Sequence, residues 1–272
     1  MTNPAEYLPL IIETARAAGA QAMASFRRPD ALEVSMKGQA DLLCQIDTAN
    51  ERMIRGLLTD AHPDIAFLGE ESGASGPADA ELCWTVDPID GTTNYISGLP
   101  FAVSIALVRG NEPLAGVIYE PVADEVFAAA QGHGATLNGE PIRVRNEVDP
   151  ARFVVATGLP LDQHAFSGGA YLRLHAIREE VAAVRIIGAA ALGFAYTAAG
   201  RIDGYFEGPT GFLDFAAGLV ILQEAGGIVT DFWGQPDHAV NATTTIGAGI
   251  CHTFLLQHTR MTPRHSPYGE TT

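Results

Sequence analysis

Trp84-Thr-Val-Asp-Pro-Ile-Asp-Gly-Thr-Thr-Asn-Tyr95 is the stretch whose reading decides the fold. Thr85 and Val86 read as the end of a buried strand, and Pro88, with no N–H to give, stops its ladder. Asp87 and Asp90 flank a turn that Gly91 closes at positive φ. Thr92 and Thr93 then read as N-caps of the next segment. Two carboxylates three residues apart, one main-chain carbonyl between them and free N–H groups just beyond make one small site. Its acidic side suits hard cations and its amide side an anionic oxygen. Asp-Pro and Asp-Gly are each common turn formers, so either dipeptide alone says little. The run as a whole carries the reading because further acids stand at useful places.

Before this stretch, Asn3-Pro4 caps an amphipathic helix with Leu8, Ile11, Ile12, Ala15 and Ala18 on one stripe, ending near Arg28-Pro29. A hairpin-like pair, Leu32–Met36 and Asp41–Ile46, turns at Lys37-Gly38-Gln39. Asp47 opens a second helix running to about Asp60, with Thr48 and Glu51 spaced as a capping box. Ile65–Leu68 is a short strand that delivers Gly69-Glu70-Glu71-Ser72, and Gly73–Asp79 is a polar loop. After it, Phe101, Val103, Ile105 and Leu107 alternate as in a strand, followed by Leu114–Tyr119 and Glu125–Ala129 in an antiparallel meander. Asn138-Gly139 is a tight turn leading to Pro141–Arg145. Strands at Val154–Thr157, Val184–Ile187, Gly204–Phe206 and Gly227–Thr230 then alternate with helices at Gln163–Glu180, Ala189–Ala199 and Phe215–Ala225. The expected organisation is an α+β half, residues 1–146, and an α/β half, 147–260, with a frayed tail over 261–272.

The 272 residues leave room for ample core, and 47% hydrophobic content fits a folded soluble protein. No apolar run reaches the length of a membrane span. No basic region followed by an apolar core opens the sequence, and Cys44, Cys83 and Cys251 are odd in number and widely spaced, so a reducing cytoplasm is expected. The net charge of −16, from 16 basic and 32 acidic residues, should repel nucleic acid and anionic lipid. Lys37 is the only lysine, and no phosphate-binding glycine loop surrounds it.

Glu70 and Glu71 follow one strand, Asp87 and Asp90 another, and Asp214 precedes the helical run Phe215-Ala-Ala-Gly-Leu-Val-Ile-Leu-Gln-Glu224. Acids at strand ends and helix starts point into the crevice where α/β proteins bind ligands. Buried and unpaired they would be very costly; gathered around Mg²⁺ or Mn²⁺ they are satisfied. The eight histidines show no paired ligand spacing. Two or three Mg²⁺ ions about 3.5–4 Å apart suit in-line attack of water on a phosphate ester. The N–H groups around Gly91–Thr93 would stabilise the transferring phosphoryl group. Thr92 with Asp47 could orient the water, although Asp47 also reads as a helix cap.

Gly69-Glu-Glu-Ser72, Asp87-Pro-Ile-Asp-Gly-Thr-Thr-Asn94, Asp214-Phe-Ala-Ala-Gly218 and Glu224-Ala-Gly-Gly227 resemble the inositol monophosphatase family, as do Lys37-Gly-x-x-Asp41 and Asn138-Gly139. The resemblance covers roughly residues 5 to 257. It implies a five-layer αβαβα sandwich like that of fructose bisphosphatase, a cytoplasmic homodimer, and Mg²⁺-dependent, lithium-sensitive hydrolysis of a small phosphorylated metabolite. It implies Glu70, Asp87 and the Ile89 carbonyl at a first metal, Asp87, Asp90 and Asp214 at a second, and Glu70 at a weaker third. Thr92 and Asp47 would activate the water, the amides of Gly91 and Thr92 would take the phosphate, and Lys37 matches the active-site lysine of the family.

Glu207 stands where inositol-specific members place a carboxylate that binds ring hydroxyls; its alternative is a solvated acid at a strand end. Gly188, Ala189 and Ala190 match the small residues under the sugar ring, and Thr93-Asn94 resembles the inositol branch. Three departures lie near the expected site: Cys44 in place of the usual Thr, Phe212-Leu213 in place of a Cys-Trp-like pair, and the stiff Gly208-Pro-Thr-Gly211. Inositol 1-phosphate is therefore the first substrate expected. Histidinol phosphate, an adenosine bisphosphate, or a non-enzymatic cation-binding regulatory role are the alternatives.

Overall fold

The computed structural model describes residues 3–28, 34–38, 41–158, 169–208, 211–236 and 245–260. A 3-10 turn, Pro4–Tyr7, is capped by Asn3, whose side chain accepts the Ala5 N–H. It leads into α1 (Leu8–Ser25), which buries Ile11, Ala15, Ala18 and Ala22. Strands β1 (Val34–Gly38) and β2 (Asp41–Cys44) pair antiparallel, and α2 (Gln45–Ala61) follows at once.

An eight-stranded sheet comes next: β3 (Ala66–Gly69), β4 (Gly73–Ser75), β5 (Cys83–Asp90), β6 (Ala102–Arg109), β7 (Glu112–Glu120), β8 (Glu125–Ala130), β9 (Ala135–Leu137) and β10 (Glu140–Pro141). Its order is β10-β9-β8-β7-β6-β5-β3-β4, and only β3 and β5 run parallel. A short helix, α3 (Thr92–Ile96), separates β5 from β6. The second sheet, β11 (Val154–Thr157), β12 (Ala183–Ile186), β13 (Gly204–Glu207), β14 (Ile228–Thr230) and β15 (Thr245–Ala248), is ordered β12-β11-β13-β15-β14. Its helices are α4 (Gly169–Arg178), α5 (Ala190–Ala198), α6 (Phe212–Glu224) and α7 (His252–Thr259).

The helices sort into three layers. α1 and α2 cover the outer face of the large sheet, α5 and α6 fill the space between the sheets, and α4 and α7 cover the far face of the second sheet. The result is the expected αβαβα sandwich. β6 shows how sequence builds it. Val103, Ile105 and Leu107 feed the core under α1 and α2, while Ala102, Ala106 and Val108 feed the core under α5 and α6. A strand covered on both faces reads as a continuous apolar run, not as alternating apolar and polar residues. Its small residues let α6 close in. On neighbouring β7, a Cβ at Gly116 would stand 2.8 Å from the Ala217 Cα of α6. That spacing leaves room for glycine alone.

Several boundaries differ from the sequence expectation. β5 does not stop at Pro88. Asp87 pairs with Ser104 and Asp90 with Ala102, so two residues of β5 oppose one of β6 in a bulge that absorbs the proline. α2 begins at Gln45 rather than Asp47, and α6 at Phe212, so Asp47 and Asp214 lie inside the first turns of their helices. Gly73–Ser75 is an edge strand, not a loop, and β15 was not anticipated. Residues 163–168, the expected start of the helix Gln163–Glu180, and the tail 261–272 lie outside the described residues. No described helix is long and apolar enough to cross a membrane.

Candidate active site

Because β3 and β5 run parallel with Gly69 beside Val86, the segments leaving them emerge side by side. They carry Glu70-Glu71-Ser72 and the Asp87–Gly91 bulge. The N-termini of α5 and α6 and the end of β13 approach the same edge, bringing Asp90's partners, Asp214 and Glu207.

Within the bulge, Asp87 Oδ1 accepts the Ile89 N–H at 3.0 Å, a local Asx turn around Pro88. Gly91 adopts φ 87°, and a Cβ there would stand 2.9 Å from the Gly188 carbonyl oxygen. It is therefore Gly91 that caps α3, not Thr92 or Thr93. The Thr92 hydroxyl turns to Asp47 instead, donating to Oδ1 at 3.0 Å; it also lies 3.2 Å from the Ile89 carbonyl oxygen. One proton serves one acceptor best, and the charged carboxylate is the stronger. The other Asp47 oxygen accepts the Cys44 N–H at 2.8 Å. Asp47 is thus both a helix cap and the hydrogen-bond partner of Thr92. Cys44 is buried as the N-cap of α2, and its thiol is pushed up to about 12, mainly by burial.

Both Asp90 oxygens are used by α5: Ala190 and Ala191 donate their N–H groups at 3.0 and 2.8 Å. A carboxylate at a helix start, bound by charge-assisted hydrogen bonds, ties the bulge to the central layer. Asp214 Oδ2 accepts the Gly211 N–H at 2.7 Å. The Tyr205 hydroxyl donates to Glu207.

These acids sit in one another's field. Asp87 and Asp90 are raised well above the ordinary carboxylate range by burial, then by Glu70 for Asp87 and by Asp214 for Asp90. Burial raises Asp214 to about 6 and Glu207 to about 7, and lifts Asp47 as well. Among the described residues, no Lys or Arg forms an ion pair with Asp87, Asp90 or Asp214. Nor do three or more His, Cys, Asp or Glu side chains already close on a common point that could hold a metal. The acids are near enough to raise one another's pKa without converging. Oxygen-only donors whose charged forms are held back by burial and mutual repulsion fit a hard divalent cation, which offsets both effects. On that chemistry the residues suit Mg²⁺ or Mn²⁺.

The remaining expected residues divide. Gly188 is exposed and abuts Asn94, whose amide donates to the Ile187 carbonyl at 2.8 Å and the Pro100 carbonyl at 2.9 Å. Ala189 packs on Gly91, and the Ala190 amide serves Asp90. Small residues here therefore have a structural reason. Glu71 is half-buried, with its N–H bonded to Glu51 at 2.7 Å. Lys37 lies on β1, and its side chain falls outside the described ones, as do Pro209 and Thr210.

Glu51 was misread. It forms no capping box with Thr48; its carboxylate accepts the N–H groups of Glu71 and Ser72. The available signal was its place four residues after Asp47, in the buried stripe that continues through Ile54 and Leu58. Tyr205, too, was missed; nothing in its own strand marks it as Glu207's partner.

The profile of the inositol monophosphatase family matches residues 3–263. The chain is 39% identical over 251 residues to an inositol-1-monophosphatase of Mesorhizobium japonicum, covering 92% of this chain and 94% of that one. It is 40% identical over 229 residues to a protein of Pasteurella multocida named Nus factor SuhB, covering 84% and 85%. Among solved structures, the extragenic suppressor protein suhB of Bartonella henselae superimposes with a TM-score of 0.90 at 36% identity, over 94% of this chain and 98% of that one.

Proposed function

The chain belongs to the inositol monophosphatase family, and on that footing we propose that it is a Mg²⁺-dependent phosphomonoesterase whose first substrate is inositol 1-phosphate. The observation that carries this reading is the Thr92–Asp47 hydrogen bond of 3.0 Å beside the acids of the Asp87–Gly91 bulge. A water activator and a cation-binding edge are what hydrolysis of a phosphate ester needs in one place.

Glu70, Asp87, Asp90, Asp214 and the Ile89 carbonyl would hold two or three Mg²⁺ ions, with Mn²⁺ an alternative. Bound there, such ions neutralise phosphoryl oxygens and acidify water. With its proton directed at Asp47 Oδ1, the Thr92 hydroxyl turns its lone pairs outward and accepts a hydrogen from the attacking water. As that water loses its proton to Thr92 Oγ1, the Thr92 proton moves to Asp47 Oδ1. Burial, which raises Asp47, suits it to that acceptance. The amides of Gly91 and Thr92, at the start of α3 where helical N–H groups lack intrahelical partners, would take phosphate oxygens. Glu207, held by Tyr205, would meet ring hydroxyls, with Gly188, Ala189 and Ala190 as the small-residue wall. Lys37 and Glu71 would act as auxiliary groups. Cytoplasmic location, homodimerisation, lithium sensitivity and the division into 1–146 and 147–260 belong to the same proposal.

A second reading comes from the Pasteurella multocida relative, named a Nus factor. A regulatory role of that kind would run through protein contact, since a chain of net charge −16 repels nucleic acid.

Phosphate release from inositol 1-phosphate, histidinol phosphate, an adenosine bisphosphate, fructose bisphosphate and β-glycerophosphate decides between them. Each is run with Mg²⁺, with EDTA, and with Mg²⁺ plus lithium. Mg²⁺-dependent turnover led by inositol 1-phosphate is expected. Turnover led by another ester keeps the chemistry and removes Glu207 from its role; none on any ester favours the regulatory reading.

A further inference from the structure

The carboxylate of Glu51 is almost wholly buried, on α2 one turn beyond Asp47, yet it belongs to neither the water activator nor the expected cation ligands. One oxygen accepts the Glu71 N–H at 2.7 Å and the other the Ser72 N–H at 2.9 Å. Gly69 presses against the same carboxylate so closely that any Cβ there would collide with it. Just before these two amides, the Glu70 N–H donates to the Val86 carbonyl at 3.2 Å, and Gly69 is paired with both Val86 and Gly73. Every backbone N–H from Glu70 to Ser72 is therefore fixed, one by the sheet and two by Glu51. Fixing the amides on both sides of the Glu70 Cα fixes the direction in which its side chain leaves the backbone.

We propose that Glu51 is a positioning residue that sets the Glu70–Glu71 segment and thereby the strength of divalent-cation binding. The proposal rests on the phosphatase reading above. Its chemistry is specific to a carboxylate. Two converging N–H donors need two acceptor oxygens, and a glutamine offers one oxygen and one NH₂. In Glu51→Gln one amide would face another donor, and the segment would swing away on that side. In Glu51→Asp the acid falls one methylene short of both amides. Gly69→Ala leaves Glu51 intact but displaces its carboxylate from the other direction.

The test measures Mn²⁺ binding by electron paramagnetic resonance in the absence of substrate, together with the Mg²⁺ concentration at half-maximal turnover and the melting temperature. Glu51→Gln should weaken Mn²⁺ binding by roughly 10–100-fold, the usual effect of removing a group that orients a ligand. The Mg²⁺ midpoint should rise in parallel, by more than kcat at saturating Mg²⁺ falls. Gly69→Ala should give the same pattern, and keeps the question open to decision if Glu51→Gln does not fold. Glu51→Asp should weaken binding too, because reach matters as well as charge. Wild-type Mn²⁺ affinity in folded Glu51→Gln or folded Gly69→Ala overturns the proposal, as does a loss confined to kcat. A wild-type chain that releases phosphate but loses no affinity in any variant refutes the role of Glu51 alone. A wild-type chain that neither binds Mn²⁺ nor releases phosphate overturns the phosphatase reading and the proposal with it.

Discussion

Two helices of this protein begin the same way and come to different ends. In α2 the third residue is Asp47, which accepts the N–H of Cys44; in α6 the third residue is Asp214, which accepts the N–H of Gly211. Each acid uses one oxygen to close its helix, where the helix dipole welcomes negative charge. The other oxygen separates them. That of Asp47 is sealed in the interior and receives the Thr92 hydroxyl. That of Asp214 has no hydrogen-bond donor among the described residues and lies in the field of Glu70 and Asp90. Each cap uses half a carboxylate, and the surroundings of the other half suit Asp47 to the proposed proton relay and Asp214 to the proposed cation.

Substituting both acids with asparagine is the hardest blow to this comparison. Asparagine retains one acceptor oxygen for the cap, so both helices should still form. Asp214→Asn should lose turnover by roughly 10³-fold, since a charge that balances a divalent ion is worth several kcal/mol. It should weaken Mn²⁺ binding too, with little change in melting temperature. Asp47→Asn should cost about 10²-fold in turnover, the scale of a lost proton acceptor, and leave Mn²⁺ affinity within a few-fold. Equal losses of Mn²⁺ affinity would erase the distinction. Thr92→Ala should resemble Asp47→Asn, and Thr92→Ser should restore most of the rate.

The pH dependence sharpens the contrast more gently. Burial holds Asp214 at about 6 and Glu207 at about 7, against ordinary values of 3.8 and 4.5. Raised acids contribute stability that is complete below the ordinary value and is lost as pH rises through the folded one. The melting temperature of EDTA-treated protein should therefore fall from about pH 4 to above pH 7, and Mg²⁺ should flatten that slope. A slope unchanged by Mg²⁺ would place the cation elsewhere. The smallest effect concerns the residue three positions after each acid. In α6 it is Ala217; in α2 it is Asn50, fully buried with neither amide atom hydrogen-bonded among the described residues. Asn50→Val should raise stability by about 1 kcal/mol, the order of a relieved unpaired polar group, with turnover unchanged. Thermal melts would register this as a gain of a few degrees.

What was legible in the sequence was local. The Asp87–Gly91 stretch declares its turn because proline, aspartate and glycine act within a few residues of themselves, and Gly91 does take positive φ. The strands of the meander followed from apolar runs and their spacing; the layered order came from the family resemblance of the motifs. What stayed hidden were partnerships across the chain. Glu51 meets Glu71 from 20 residues away, and Asp90 meets Ala190 from 100. Without that first partner, the spacing of Thr48 and Glu51 looked like a local cap. Pro88 misled for the opposite reason. A missing N–H ends a regular ladder, but a bulge provides a place that needs none.

The joint between Gly116 of β7 and Ala217 of α6 bears on how the molecule moves. The core it belongs to takes Ala106, Ile118 and Phe127 from one sheet, Ala156, Tyr205 and Val229 from the other, and α5 and α6 between them. A hinge needs a plane of few contacts, and none separates the two sheets where helices interlock with both. On the proposed phosphatase reading, substrate would then come and go past short segments at one rim, without a clamshell closing over it. The radius of gyration of the protein should stay constant when Mg²⁺ and a phosphate ester are added.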